Sequence, residues 1–154
     1  MINIRLADVS DIPSIVALTT TLCRKCIAPD CTAAGAERLL ASMGPEDTTK
    51  RFAGSFRYFV ACDGGQVIGV IAMRENSHLF HLFVATSHQR RGIARALWRI
   101  AQQSCLDAGN SGHFTVNSSR AARPVYKAFG FVGEGEACID GVPFIPMTLD
   151  TTIN

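Results

Sequence analysis

Residues 82–98 read LFVATSHQRRGIARALW. An apolar run rich in β-branched and aromatic residues gives way to a polar loop, the loop reaches Gln89-Arg90-Arg91-Gly92, and apolar residues then recur at helical spacing. That is a strand, a turn and a helix in direct succession. Such a passage aims the unpaired N–H groups of the helix's first turn, and the positive end of its dipole, at one place, which makes a ready anion site. Gly92 lets phosphate oxygens approach the backbone, Ala94 is small enough to keep the approach open, and Arg90 and Arg91 add charge at the rim. Taken alone, the same turn reads equally well as a solvated surface turn with a helix-starting glycine.

Upstream of this passage, FRYFVA, QVIGVIAM and HLFHLFV are three strand-like runs separated by the turn chemistry of CDGG and RENS, so the spacing predicts two tight hairpins and a three-stranded antiparallel meander. Downstream, Ile93, Leu97, Ile100, Ala101, Ser104 and Ala108 share one helical face and Gly109 offers a stop, giving a helix over 91–108. HFTVN is then a short strand, and SRAARPVYKAF a helix up to Gly130 despite Pro124. FVGEGEACI and VPFIPMTL are two last strands around Asp140-Gly141. At the other end, INIRLA alternates as a strand and leads into a helix with Ile12, Ile15, Val16 and Leu18 inward, Ser10 as N-cap and Pro13 in the first turn. AAGAERLLASMG is a helix ending at Gly44-Pro45, with EDTTKRFAG a candidate for a second short one.

The order β-α-α-β-β-β-α-β-α-β-β predicts an α/β fold: one mixed, mostly antiparallel central sheet flanked by helices on both faces. The strands that flank the helix in the passage from 79 to 117 are expected to run parallel, which places ligands at their carboxyl ends.

A chain of 154 residues, 47% hydrophobic, fits a single domain over 1–154. Fifteen basic against 13 acidic residues leave a net charge of +2, too small a field to favour nucleic acid. No apolar run of about 18 residues and no leader-like start is present, so no membrane partner and a cytoplasmic location are expected. The six cysteines are expected to be free thiols. Cys23, Cys26 and Cys31 form C-x2-C-x4-C without a fourth ligand nearby, and no metal site is expected.

LFVATSHQRRGIARALW resembles the acetyl-CoA motif of the GNAT acetyltransferases, whose pattern Q/R-x-x-G-x-G/A is matched by Gln89, Arg90, Arg91, Gly92, Ile93 and Ala94. FTVNSSRAARPVYKAFGFV is similar to the family's later segment, a strand ending in asparagine followed by a helix and a Tyr-x-x-x-Gly-Phe ending; Asn117, Tyr126, Gly130 and Phe131 sit at those places. The specific motifs lie within 78–131, and the element order agrees from end to end.

The resemblance implies acetyl-CoA as co-substrate. Its pyrophosphate would rest on the backbone N–H groups of residues 89–95, Arg95 included, and its pantetheine beside LFV and TVN, with Leu82, Phe83 and Val84 as backbone partners. Direct attack of a primary amine on the thioester makes a tetrahedral oxyanion, which an N–H from strand 82–84, freed by a bulge, would stabilise. The departing thiolate gains from a proton donor, for which Tyr126 is the candidate; the bland alternative is a core tyrosine. Asn117 either holds cofactor or substrate groups or caps the next helix. Many family members carry a carboxylate on the strand before the turn, whereas SHLFHLFV offers His78 and His81. His81, acting through water, is the candidate base, with His78, Glu75 and Glu37 behind it.

The acceptor's mouth is expected between CIAPDCTAAGAERL and IDGVPFIP, with residues that do not distinguish a polyamine, an amino acid, an aminoglycoside or a protein terminus. The expected function is therefore an N-acetyltransferase. The competing class is a non-catalytic acyl-CoA sensor on the same fold. A homodimer through the final strands is left open.

Overall fold

The computed structural model describes residues 1–152. Among these residues seven strands form one open sheet in the spatial order β1 (Ile2–Leu6), β2 (Phe56–Asp63), β3 (Gln66–Arg74), β4 (His78–Val84), β5 (His113–Ser118), β7 (Val142–Asp150) and β6 (Ala137–Ile139). Every neighbouring pair is antiparallel except β4 with β5, which is parallel. The meander β2–β3–β4 and the parallel passage around the long helix are as the spacing predicts.

Strand alternation sorts the side chains between two layers of helices. Tyr58, Val60, Val70 and Ala72 pack with Ile15 of α1 (Ile12–Cys26) and Phe52 of α3 (Pro45–Ala53). On the opposite face Phe59, Ala61, Ile71 and Met73 pack with Leu97, Trp98 and Ala101 of α4 (Ile93–Asp107) and with Tyr126 of α5 (Arg123–Ala128). Trp98 meets Phe114 edge-on at 5.2 Å between ring centroids, a geometry that adds to the burial of both rings. At Gly69 a Cβ would come within 3.1 Å of the Leu97 Cδ1 and 3.3 Å of the Ala61 Cβ, so the missing side chain lets α4 lie close against the sheet.

The structure moves several boundaries. The candidate short helix after Gly44-Pro45 is present as α3, following α2 (Ala33–Ser42), which adds one helix to the expected order before β2. Ser10 does not cap α1: the N-cap is Asp11, without a side-chain cap hydrogen bond, and a capping box belongs to the 3-10 turn Val9–Asp11 ahead of it, where Asp8 accepts from the Ser10 amide and Asp11 from that of Asp8; Asp11 also holds Arg5 through two 2.8 Å hydrogen bonds. Helix α4 starts at Ile93 rather than residue 91. Its buried stripe is Ile93, Leu97, Trp98, Ala101 and Cys105, while Ile100 is 39% exposed. FVGEGEACI is not one strand: Val132 makes a single bridge to Thr148, and β6 begins only at Ala137. Two glycines and the Glu136 side chain, drawn out to Arg120 at 2.6 Å, interrupt the run.

The feature that positions the site is how briefly β4 and β5 pair. Among the described residues only His78 with Thr115 and Leu79 with Val116 are in register, and from Phe80 onward the β4 edge facing β5 carries no ladder. A bulge at Phe80, which leaves Ala72 opposite His81 and Met73 opposite Leu79, bends β4 where the strands part.

Candidate active site

At the carboxyl end of β4 the chain makes a short 3-10 turn over Thr86–His88 and is pinned to the strand by the Gln89 side chain, whose Nε2 donates to the Val84 carbonyl at 3.0 Å. Arg90 and Gly92 both adopt left-handed backbone, with φ of 64° and 78°. The first helical hydrogen bond runs from the Ala96 amide to the Gly92 carbonyl at 3.0 Å. Among the described residues the amides from Arg90 to Arg95 donate to no protein acceptor. A Cβ at Gly92 would meet nothing within 4 Å, so the turn presents open space lined by free N–H groups. The side chains of Arg90 and Arg91 are exposed, whereas Arg95 leans away, its guanidinium 5.3 Å from the centre of the Phe129 ring.

Where β4 and β5 part, a cavity of about 390 Å³ opens on the α1/α3 face. His78, His81 and Phe83 of β4 and Asn117 of β5 form its strand side; Ile27 and Leu39 face Ile139, Val142 and Phe144 across its mouth. These are the two segments the sequence assigns to that mouth. They are tied together: the Thr32 amide donates to the Gly141 carbonyl at 2.9 Å, Arg38 to the Asp140 carbonyl at 2.6 Å, and Arg120 bridges Asp30 and Glu136.

The candidate residues fall on two sides of the sheet. Leu82 and Val84 belong to the α4 side, with Tyr126 buried there at 5% exposure among Phe129 and Phe131. Burial raises the Tyr126 phenol above its ordinary value, so it stays protonated. The bulge lies at Phe80, two residues ahead of the 82–84 segment expected to carry it. Asn117 does not cap the following helix: it lies exposed in β5, and it is Ser119 whose hydroxyl accepts from the Ala122 amide at 3.1 Å.

The two histidines reach the cavity but are poorly suited to hold a proton. His81 is enclosed by Tyr58, Phe80 and Phe83; burial, aided by the charge of Arg51, pushes it down to about 3. His78 shares a 2.7 Å hydrogen bond with Thr115, and burial and Arg74 lower it as well. Glu75 and Glu37 are exposed outside the cavity. A base role for His81 is therefore weakened by its surroundings.

The same burial sets a pH dependence of stability. The unfolded chain takes up a proton at His81 below about pH 6.5, the folded chain only near 3, so stability is full above 6.5 and falls as the pH drops through that window. Thermal unfolding followed from pH 7.5 to 4.5 should show a falling Tm, flattened in His81→Phe; an unchanged slope in that variant would show that other groups set it.

Cys23, Cys26 and Cys31 assemble no ligand set, and among the described residues no cluster of metal-binding side chains occurs. All six cysteines are free, and burial pushes the Cys23 thiol up to about 11, which makes it inert. Sequence reading missed Arg74 and Arg51. Arg74 lies in the cavity wall; the Arg51 guanidinium stacks 4.8 Å above the Phe80 ring. Neither belongs to a motif, and only the tertiary fold brings them there.

The description "Acetyltransferase (GNAT) domain" matches residues 27–151. The chain is 34% identical to mouse N-acetyltransferase 8 over 94 residues, covering 54% of this chain and 41% of that protein. It is also 34% identical over 101 residues to N-acetyltransferase family 8 member 2 of the rat, covering 58% and 45%. The chain thus spans less than half the length of these curated relatives. Among solved structures, the PaiA N-acetyltransferase of Thermoplasma acidophilum in complex with coenzyme A superposes with a TM-score of 0.81 at 17% identity, over 97% of this chain and 99% of that one. Among the described residues no helix is long and apolar enough to cross a membrane. With a family model matching most of its length, the chain belongs to the GNAT acetyltransferase family.

Proposed function

We propose that this protein is an acetyl-CoA-dependent N-acetyltransferase that passes the acetyl group to a primary amine by direct attack. The observation that carries the reading is a turn with free amides over 90–95 at the carboxyl end of β4, a strand whose edge is open and whose Phe80, His81 and Phe83 line the cavity. The turn suits a pyrophosphate: donors without partners, a left-handed Gly92 with vacant space before it, and the N-terminus of a 15-residue helix behind it. Acetyl-CoA supplies the activated acyl group. Gln89 through Arg95 would hold its phosphates, the backbone of Leu82, Phe83 and Val84 its pantetheine arm, and Asn117 the polar rim where the strands part. Tyr126 would donate to the departing sulfur from the α4 side, while His78 and His81 border the amine on the other. The unpaired thiols fit a reducing, cytoplasmic setting.

A second reading, an acyl-CoA sensor, is favoured by one observation: among the described residues no carboxylate lines the cavity to serve as base. Thermal unfolding with acetyl-CoA tests the shared part. At 100 times the dissociation constant, binding should stabilise the fold by about 2.7 kcal/mol; no shift would refute both readings. Free thiol released in the presence of acetyl-CoA and an amine panel then separates them, since a sensor binds without release.

A further inference from the structure

The cavity's wall has a polarity of its own. Its α2 and hairpin side is mostly apolar, with Leu39, Met43 and Phe144 beside Ser42, while its strand side sets Arg74, His78 and Asn117 among Phe80 and Phe83. Arg74 is the ionised side chain in that wall, and among the described residues nothing pairs with its guanidinium. It stands at the end of β3 directly opposite His78. Behind Phe80, Arg51 adds a second cation whose Nη1 is buried without a partner, as is the nearby Tyr58 hydroxyl. Of the carboxylates near the mouth, Asp30 and Glu136 are engaged by Arg120, while Glu37 and Asp140 are exposed and outside the cavity lining.

From this arrangement we propose that the acceptor is an amine carrying its own carboxylate beside an apolar group, the chemistry of an apolar amino acid, and that Arg74 receives the carboxylate. The inference rests on the acetyltransferase reading above and names its substrate class. A guanidinium presents a planar fork that matches a carboxylate with two parallel hydrogen bonds. A polyamine or an aminoglycoside brings only positive charge to a wall that already holds it, and finds no carboxylate there to offset the loss of water.

Two consequences agree with the surroundings. The positive field is felt inside the cavity, since Arg74 and Arg51 both act to disfavour protonation of the neighbouring histidines. The same field disfavours the ammonium form of an acceptor held there. With Arg74 paired by the substrate's carboxylate, Arg51 behind Phe80 remains as the cation that disfavours the ammonium form, and the amine's proton passes to solvent water. The volume of about 390 Å³ suits a single-residue ligand.

The test uses the whole chain with saturating CoA, titrated calorimetrically with 3-phenylpropanoate and with 3-phenylpropanamide, and beside it thiol release with L-phenylalanine and with phenethylamine. The acid should bind about 10- to 100-fold more tightly than the amide, the range of a charge-assisted hydrogen bond. Arg74→Gln should erase that preference and raise KM for phenylalanine while KM for phenethylamine, which loses a repelling cation, does not rise; CoA affinity and Tm check that the variant is folded. Arg74→Lys, which keeps the charge without the fork, should fall between and covers the case in which the glutamine variant folds poorly. Equal binding of acid and amide, equal damage to both substrates in Arg74→Gln, or a preference for spermidine would overturn the proposal while leaving acetyl transfer standing. Acid preference without CoA binding or turnover would do the opposite: the carboxylate site survives and the enzyme reading falls.

Discussion

Replacing Gly92 by valine should weaken CoA binding by about 10- to 100-fold, through the roughly 1–2 kcal/mol that a side chain costs in left-handed backbone and through steric loss of the anion's place. Gly92 holds φ at 78°, and its absent Cβ faces space with no protein atom within 4 Å. A side chain there clashes with nothing in the free protein; it occupies the volume that the free amides of 90–95 surround. Arg90→Ala or Arg91→Ala removes exposed charge, worth about 0–1 kcal/mol at a solvated surface, and should shift affinity only a few-fold. Calorimetric titration with CoA checks the ranking, with Tm of the free variants separating misfolding from lost binding. If the arginine variants lost more affinity than Gly92→Val, side-chain charge rather than backbone donors would hold the phosphate.

The strand–turn–helix passage was legible because every feature it needs is local: alternation ends, a glycine follows, helical spacing begins. The meander and the two hairpin turns were legible for the same reason. What failed depends on the third dimension. A helical face read from aliphatic spacing puts Ile100 inward, yet the sheet beneath α4 takes Trp98 and Cys105 instead, because the large indole fills the space between Phe114 and Phe131. The bulge at Phe80 follows from how β3 and β4 pair, and no residue type at that position announces it.

The site divides in the same way. Gly92 and Tyr126 stand in motifs and could be named from the chain alone. Arg74 lies beside turn residues and reads as a solvated charge; it becomes a wall of the cavity only when β3 pairs with β4 and the hairpin β6–β7 closes over α2. The lack of a strand carboxylate was visible in SHLFHLFV, but not what that lack creates, a cavity with positive rather than negative surroundings. His81 shows the reverse error: a histidine on a site strand invites a base role, and burial among Tyr58, Phe80 and Phe83 withdraws its basicity.

Tyr126→Phe should lower kcat by about 100-fold or more, the scale of a positioned proton donor, with CoA affinity and Tm nearly unchanged because the ring and its contacts with Phe129 and Phe131 are kept. The phenol is buried on the α4 side of the sheet, away from the cavity that would receive the amine. That placement suits a group serving the departing sulfur and not one that deprotonates the acceptor. Burial raises its pKa above the ordinary tyrosine value, because a phenolate there would lose its hydration with no cation to replace it. The hydroxyl therefore stays protonated at neutral pH, and in the proposed reaction it would stabilise the developing thiolate by donating a hydrogen bond. It follows that Tyr126 should contribute no basic limb to the pH profile of kcat, and the Phe variant should be slowed by a constant factor from pH 6 to 9. An acyl donor with a more acidic leaving thiol depends less on that donation, so the defect should shrink with an activated aryl thioester. Turnover of Tyr126→Phe equal to the parent, or a defect that grows with the activated donor, would reduce Tyr126 to a core residue.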